Sequence, residues 1–131
     1  MTIEKLEGTS TRLYSLVAPL VMKSSILRQN NNYPFKTSRR HTWFVAIDGC
    51  TVLGFIPVEQ KDNTVTINNY YVSGDNATLL SALLQEVTQT YGRGYILQSI
   101  THTRHIDTFK EKGFSVIREW KLYIKMLYDK K

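Results

Sequence analysis

The sequence predicts an α+β domain, a mixed β-sheet with helices on both faces. Three observations predict it. A run of β-branched and aromatic residues from Thr42 to Val72 is punctuated by two turn signals. Leucines at helical spacing follow, from Leu79 to Val87, and a further strand pattern begins after Gly92. A helix between two strands usually returns the chain to the same sheet, so the flanking strands are candidate parallel partners.

Each element has its own signal. Met1 to Leu6 reads as a short first strand, and Thr9-Ser10-Thr11 offers N-caps for a helix carrying Leu13, Leu16 and Val17. Pro19 suits the first turn of a second helical piece that buries Leu20, Val21, Ile26 and Leu27. Gln29 to Pro34 is a polar loop. Trp43 to Ile47 is a strand, Asp48-Gly49 a hairpin turn, Cys50 to Val58 the return strand, and Thr64 to Val72 a third. Ser73 to Asn76 breaks it and opens the leucine helix, which Gly92 ends. Tyr95 to Ile100 is the next strand, His102 to Lys112 a short helix closed by Gly113, and Phe114–Ile117 and Trp120–Leu127 the last strands.

Composition narrows the function classes. The 131 residues suit one domain, 1–131, able to bury roughly two-thirds of its unfolded surface. A single cysteine, Cys50, excludes an internal disulfide framework and any cysteine-rich zinc site. The longest apolar run, Leu16 to Met22, is seven residues and contains Pro19, far from the roughly 20 that span a bilayer. Glu4, Lys5 and Glu7 stand where a signal peptide would be apolar, so a cytoplasmic protein without a membrane partner is expected. The net charge of +6 divides unevenly along the chain. Residues 1–47 carry seven bases and two acids, 48–92 one base and five acids, and 93–131 nine bases and four acids. Basic ends suit phosphate-bearing partners, a nucleotide cofactor or a nucleic acid, or are ordinary solvated surface.

Four stretches in this order carry a family resemblance: Val52-Leu53-Gly54-Phe55-Ile56 on the return strand, Tyr70-Tyr71-Val72, the helix Leu79–Val87, and Phe109-Lys110-Glu111-Lys112-Gly113-Phe114. Together they resemble the GNAT N-acetyltransferase superfamily over nearly the whole chain. That resemblance implies an acyl-CoA cofactor, acetyl-CoA or CoA, in a cleft where two parallel strands splay apart. It implies a pantetheine arm pairing with the strand ending at Val72 and a pyrophosphate on N–H groups opening the leucine helix. The implied cofactor-binding residues are Val72, Ser73, Gly74, Asp75, Asn76 and Ala77. A helix N-terminus independently favours anions, and Gly74 permits close backbone approach. The loop departs from the family pattern: it is shorter, has one glycine, and Asp75 would repel a phosphate. A capping turn built on Ser73 or Asp75 is the other reading of the same residues.

Catalysis implies proton handling, and the family's aromatic acid position matches Phe109, which has no proton to give. Tyr70 or Tyr71 is a candidate substitute, since strand alternation points one of them into the cleft. His102 is a candidate base, with His105 beside it, although two histidines make no metal site and surface or capping roles also suit them. On the acceptor side the resemblance brings in the stretch from Tyr33 to His41. Phe35, Lys36 and Arg39 there, with Arg40, could hold an anionic acceptor or a nucleic-acid strand, or form a plain loop. Asn68 and Asn69 are unusual in mid-strand, and one facing inward would need polar partners, so Asn69 joins the acceptor candidates. The expected partner is a small-molecule or protein amine, acting on a monomer or homodimer. The alternative is a non-catalytic module of the same fold that binds nucleic acid or another protein.

Overall fold

A computed structural model describes residues 1–129. Its strands are β1 (Thr2–Glu7), β2 (His41–Asp48), β3 (Thr51–Lys61), β4 (Thr64–Ile67), β5 (Tyr71–Val72), β6 (Ile96–His102), β7 (Phe114–Glu119) and β8 (Tyr123–Tyr128). Helices α1 (Thr11–Val21), α2 (Ser24–Gln29), α3 (Ala77–Tyr91) and α4 (Ile106–Glu111) complete it, with single 3₁₀ turns at Ser73–Asp75 and Thr103–His105. The eight strands form one sheet of order β1-β2-β3-β4-β6-β8-β7, with β5 pairing onto β3. All pairings are antiparallel except β4 with β6, between which the chain passes through β5 and α3. The mixed sheet and its parallel pair are those the sequence predicts. Among the described residues no helix is long and apolar enough to cross a membrane.

Strand alternation supplies two cores. Phe44, Ala46, Ile56, Val58, Val65, Ile67 and Leu97 face α3 and α4, where Leu80, Leu83, Leu84, Val87 and Phe109 meet them. Trp43, Val45, Ile47 and Phe55 face the other way, onto Leu13 and Val17 of α1. Ser10 caps α1 by accepting from the Leu13 N–H at 3.3 Å, within the predicted Thr9–Thr11 group.

Several boundaries differ from the sequence reading. Pro19 lies near the end of α1 instead of opening α2, because the chain completes α1 before turning at Met22–Lys23. The hairpin tip is Gly49–Cys50, with Asp48 paired to Thr51 and Gly49 at φ +60°. The last strand starts at Tyr123, not Trp120, since Trp120 to Leu122 form the turn from β7. Asn76, neither Ser73 nor Asp75, caps α3 by accepting from the Leu79 N–H at 3.0 Å.

The largest departure shapes the site. The third strand is not continuous: it stops at Ile67 and resumes at Tyr71. Ile67 pairs with Val58, and Tyr71 with Phe55, so three residues (Asn68, Asn69, Tyr70) span the two of Ile56–Pro57. This is a one-residue bulge, and Pro57, which lacks an N–H, is a residue that tolerates it. Asn69 absorbs the bend in the left-handed region at φ +56°, a conformation asparagine accepts better than most residues. The insertion flips the alternation. Val65 and Ile67 face α3, and after the bulge Tyr70 and Val72 do so, while Tyr71 turns to Phe55 on the opposite core.

Candidate functional site: a splayed gap between β5 and β6

Beyond the bulge, β5 and β6 part. The parallel ladder runs from Thr64↔Ile96 to Ile67↔Ser99 and ends there. β6 continues alone on that side to His102, held by β8, while β5 is held only by β3. The edge of β5 that faces β6 therefore has no strand partner among the described residues. Main-chain groups on such an edge seek hydrogen bonds.

Side chains cross the gap. The Tyr70 hydroxyl, almost wholly buried, donates to His105 Nδ1 at 2.7 Å and accepts from the His102 N–H at 3.1 Å. His105 Nε2 in turn donates to Asp75 Oδ1 at 2.8 Å, which fixes its neutral tautomer. Arg104 Nε reaches the same oxygen at 2.9 Å, and its Nη2 donates to the Gln29 carbonyl at 2.9 Å. A continuous polar chain thus links the Ser73–Asp75 turn to the end of β6 and to α2.

Burial and charge set the ionisation of these groups. Burial drives the Tyr70 hydroxyl pKa strongly upward, so it stays protonated. Burial lowers His105, opposed by its bond to Asp75. Burial also holds His102 down to about 4, helped by Arg104, so its imidazole is neutral at pH 7. For Asp75, burial works upward but is outweighed by the bonds from Arg104 and His105, and its pKa falls below the usual carboxylate value.

His102 and Tyr123 face each other across β6 and β8, with ring centroids 5.5 Å apart. His102 Nδ1 and the Tyr123 hydroxyl are buried side-chain polar atoms with no hydrogen-bond partner among the described residues. Tyr123 also lines a recess of about 310 Å³ with Tyr33, Pro34, Lys36, Asn68, Asn69 and Ile100. Asn69 is fixed there by the Asn30 side chain, whose Nδ2 donates to Asn69 Oδ1 at 3.0 Å. A larger polar groove of about 710 Å³ adjoins it, sharing Lys36, Asn68 and Asn69 and extending to His41, Glu59 and Gln98.

The predicted site residues divide between these features. Tyr70, His102, Val72 and Asp75 gather at the gap. Ser73, Gly74, Asn76 and Ala77 form the exposed turn and first residue of α3. Lys36 and Asn69 line the recess. Tyr71 and Phe35 instead pack on Phe55 in the α1-side core, at centroid distances of 5.6 and 5.2 Å, and Arg39 is exposed on the loop before β2. A surface position for the two histidines is overturned, since His102 and His105 are 2% and 5% exposed; they do stand at the N-cap positions of the Thr103–His105 turn and of α4, but neither side chain makes the capping bond. Sequence reasoning passed over Arg104, Asn30 and Tyr123. The available signal for Tyr123 was a tyrosine in a strand adjacent to the one ending in His102.

Comparison with solved structures gives the fold. Escherichia coli ElaA superposes with a TM-score of 0.73 at 14% identity, covering 98% of this chain and 100% of that one. An acyl-CoA N-acyltransferase from Pseudomonas aeruginosa gives 0.75 at 12% identity, covering 98% and 99%. The catalytic domain of Tetrahymena GCN5 histone acetyltransferase, solved in complex with coenzyme A, gives 0.64 at 15% identity, covering 97% and 91%. The chain has the fold of the GNAT N-acetyltransferases. No protein-family model matches the sequence, and no curated protein does.

Whether the gap suits an acyl-CoA can be judged from its own groups. The unpaired β5 edge suits a strand-like pantetheine arm, and the first N–H groups of α3, at Ala77 and Thr78, have no acceptor within the helix. Asp75 opposes a phosphate there, but its ion pair with Arg104 is exposed, with side chains 45% and 39% accessible. Exposed pairs are worth about 0–1 kcal/mol, so Arg104 can exchange Asp75 for a phosphate at small cost. The residues fit the group.

Proposed function

We propose that the protein is an acyl-CoA-dependent N-acyltransferase that passes an acyl group directly to an amine. The observation that carries this reading is the splay of β5 from β6, with an unpaired strand edge leading to the opening of α3. Acetyl-CoA, when bound, supplies a thioester-activated acyl group. Val72 would hold the pantetheine arm through its main chain. Ser73, Gly74, Ala77 and Thr78 would hold the pyrophosphate through N–H groups, beside the Asn76 cap, with Arg104 turning from Asp75 toward it. Tyr70 is protonated and shields the inner gap from water, and the neutral His102 is poised to accept a hydrogen bond. Lys36 and Asn69 would orient the acceptor, with Arg39 at the outer rim. The proposed compartment is the cytoplasm, which would keep the exposed Cys50 reduced.

A second reading is favoured by one observation, the Asp75–Arg104–His105 bridge standing where the cofactor would enter. A chain that keeps this bridge closed would be a non-catalytic module, binding a protein or nucleic acid through Lys36, Arg39 and Arg40. Calorimetry with acetyl-CoA decides between them. Saturable heat from the parent supports the acyltransferase. No heat at millimolar acetyl-CoA, from the parent and from Asp75→Asn alike, would overturn it.

A further inference from the structure

Strand register carries two rows of side chains from the recess to the edge of the sheet. Ile100, in the recess, pairs with Lys125 of β8, and Lys125 pairs with Arg118 of β7. Tyr123, also in the recess, stands opposite Trp120, whose N–H donates to the Tyr123 carbonyl at 2.8 Å. Directly paired residues share a face of a sheet. The Arg118 guanidinium lies 5.0 Å from the Trp120 ring centroid, which joins the two rows into one shelf. β7 ends the strand order, and its turn into β8 leaves Ile117, Trp120 and Leu122 exposed at 51%, 43% and 50%. Large apolar side chains exposed together, beside an arginine, have the composition of a docking surface.

Charge and ring geometry say what it docks. Lys125 and Arg118 lie on the shelf, and Lys121 stands in the turn. Glu119 pairs with Ile124, which is buried in the α3-side core, so Glu119 belongs to the other face. Glu59 and Asp62 lie across the recess, in the groove over β3 and its turn into β4, together with Lys61. A segment leaving the recess toward β3 meets both signs of charge, whereas one leaving toward β7 meets Lys125 and Arg118. An acidic partner complements that side. A second copy would set the same two cations against their own symmetry mates. Arg118 already covers the Trp120 ring, where a nucleobase would stack, whereas Ile117 and Leu122 suit apolar side chains.

We propose that this shelf docks an acidic segment of a protein partner, with its carboxylates on Arg118 and Lys125 and its apolar side chains on the Trp120 turn. The docking stands on these residues alone. That the docked segment presents the acceptor amine to the recess rests, in addition, on the acyltransferase reading.

The test uses the full chain and fluorescence anisotropy with three fluorescein-labelled probes. They are a peptide of four Glu-Ser-Leu repeats, its Lys-Ser-Leu counterpart, and an oligothymidylate of equal length. The parent should bind the acidic peptide saturably, at least tenfold more tightly than the basic one and more tightly than the oligothymidylate. Arg118→Gln combined with Lys125→Gln should weaken the acidic peptide at least fivefold, and so, independently, should Trp120→Ser. Lys110→Gln combined with Lys112→Gln removes the same charge from α4, on the other face of the sheet, and should change affinity less than twofold. Circular dichroism of each variant should match the parent, since the replaced side chains are exposed or half-buried. No saturable binding by the parent, equal affinity for the two peptides, or tighter binding of the oligothymidylate would each overturn the proposal. So would unchanged binding by the folded shelf variants, or an equal loss in the α4 control. A parent dimer in sedimentation that Trp120→Ser dissociates would make a second copy the occupant and overturn it too. Because acetyl-CoA is absent throughout, failure here leaves the calorimetric result standing, and a failed calorimetry leaves a docking surface without a transferase.

Discussion

Replacing Tyr70 by Phe tests the polar chain across the gap. The substitution keeps the ring, which packs against His102, His105 and Phe109 at centroid distances of 5.0, 5.5 and 5.6 Å. It deletes one oxygen that makes two hydrogen bonds, at 2.7 and 3.1 Å, both in a buried setting. His105 Nδ1 and the His102 N–H are then left buried without partners. An unsatisfied buried group costs about 1–3 kcal/mol. The two together place the loss at roughly 2–4 kcal/mol, or about 8–15 °C in melting temperature for a chain of this length. Urea unfolding followed by circular dichroism should show that loss as a lower midpoint with unchanged slope. A double-mutant cycle with His105→Leu should show coupling above about 0.5 kcal/mol, since the two side chains share a bond. A loss below about 0.5 kcal/mol for Tyr70→Phe would refute the reasoning, because the hydroxyl would then be replaceable by solvent and the gap would be wet.

Three further perturbations bear on the same region. His102 has a folded pKa near 4 against an ordinary value of 6.5, so the unfolded chain binds its proton first. Its contribution is complete above about pH 6.5 and is lost as pH falls toward 4, by on the order of 3 kcal/mol, and His102→Phe should flatten that part of the urea-stability profile. A parent profile that is flat between pH 6.5 and 4 would contradict this. A methyl group on residue 54 would lie 2.6 Å from the Tyr71 carbonyl oxygen and 3.1 Å from the Val72 Cα, so Gly54→Ala should push β5 off β3 and cost about 1–3 kcal/mol by thermal melting. Asp75→Asn removes the charge facing the exposed Arg104 while its amide oxygen can still accept from His105 Nε2, so it should alter stability by less than about 1 kcal/mol, while acetyl-CoA binding, measured by calorimetry, should tighten. A large stability loss there would mean that the bridge holds the fold together.

The fold was legible because its signals are local and repeated. Leucines at helical spacing on α3 and β-branched alternation in β2 to β4 report burial directly, and the α3 crossover made the parallel pair readable. The turn before α3 was legible as a turn but not in its cap, because Ser73, Asp75 and Asn76 are all competent and only backbone geometry selects Asn76. The bulge was half visible. Asn68 and Asn69 stood out, yet nothing local says whether a strand bends at them or buries one. Since a single inserted residue reverses alternation, the roles of Tyr70 and Tyr71 depended on it. The histidines were misplaced for a different reason. Their burial comes from Tyr70, Tyr123 and Asp75, which are 18 to 35 positions away in the chain and leave no periodic trace near residue 102.

The short parallel ladder has a consequence for motion. Four residue pairs join β4 to β6 and four join β3 to β4, whereas eight join β2 to β3 and six join β1 to β2. The parallel ladder divides the sheet into two plates, β1 to β5 and β6 to β8, sewn along one short seam and bridged by α3, by the Tyr70 and Asp75 contacts, and by the Gln98–Thr66, Arg104–Gln29 and Tyr33–Tyr123 contacts. Parting along that seam breaks few main-chain bonds and leaves each plate's own ladders whole. Opening should thus be a sub-global event whose free energy lies below that of complete unfolding. In hydrogen exchange, amides bonded across the seam should open together, while those between β2 and β3 stay protected until the whole chain unfolds.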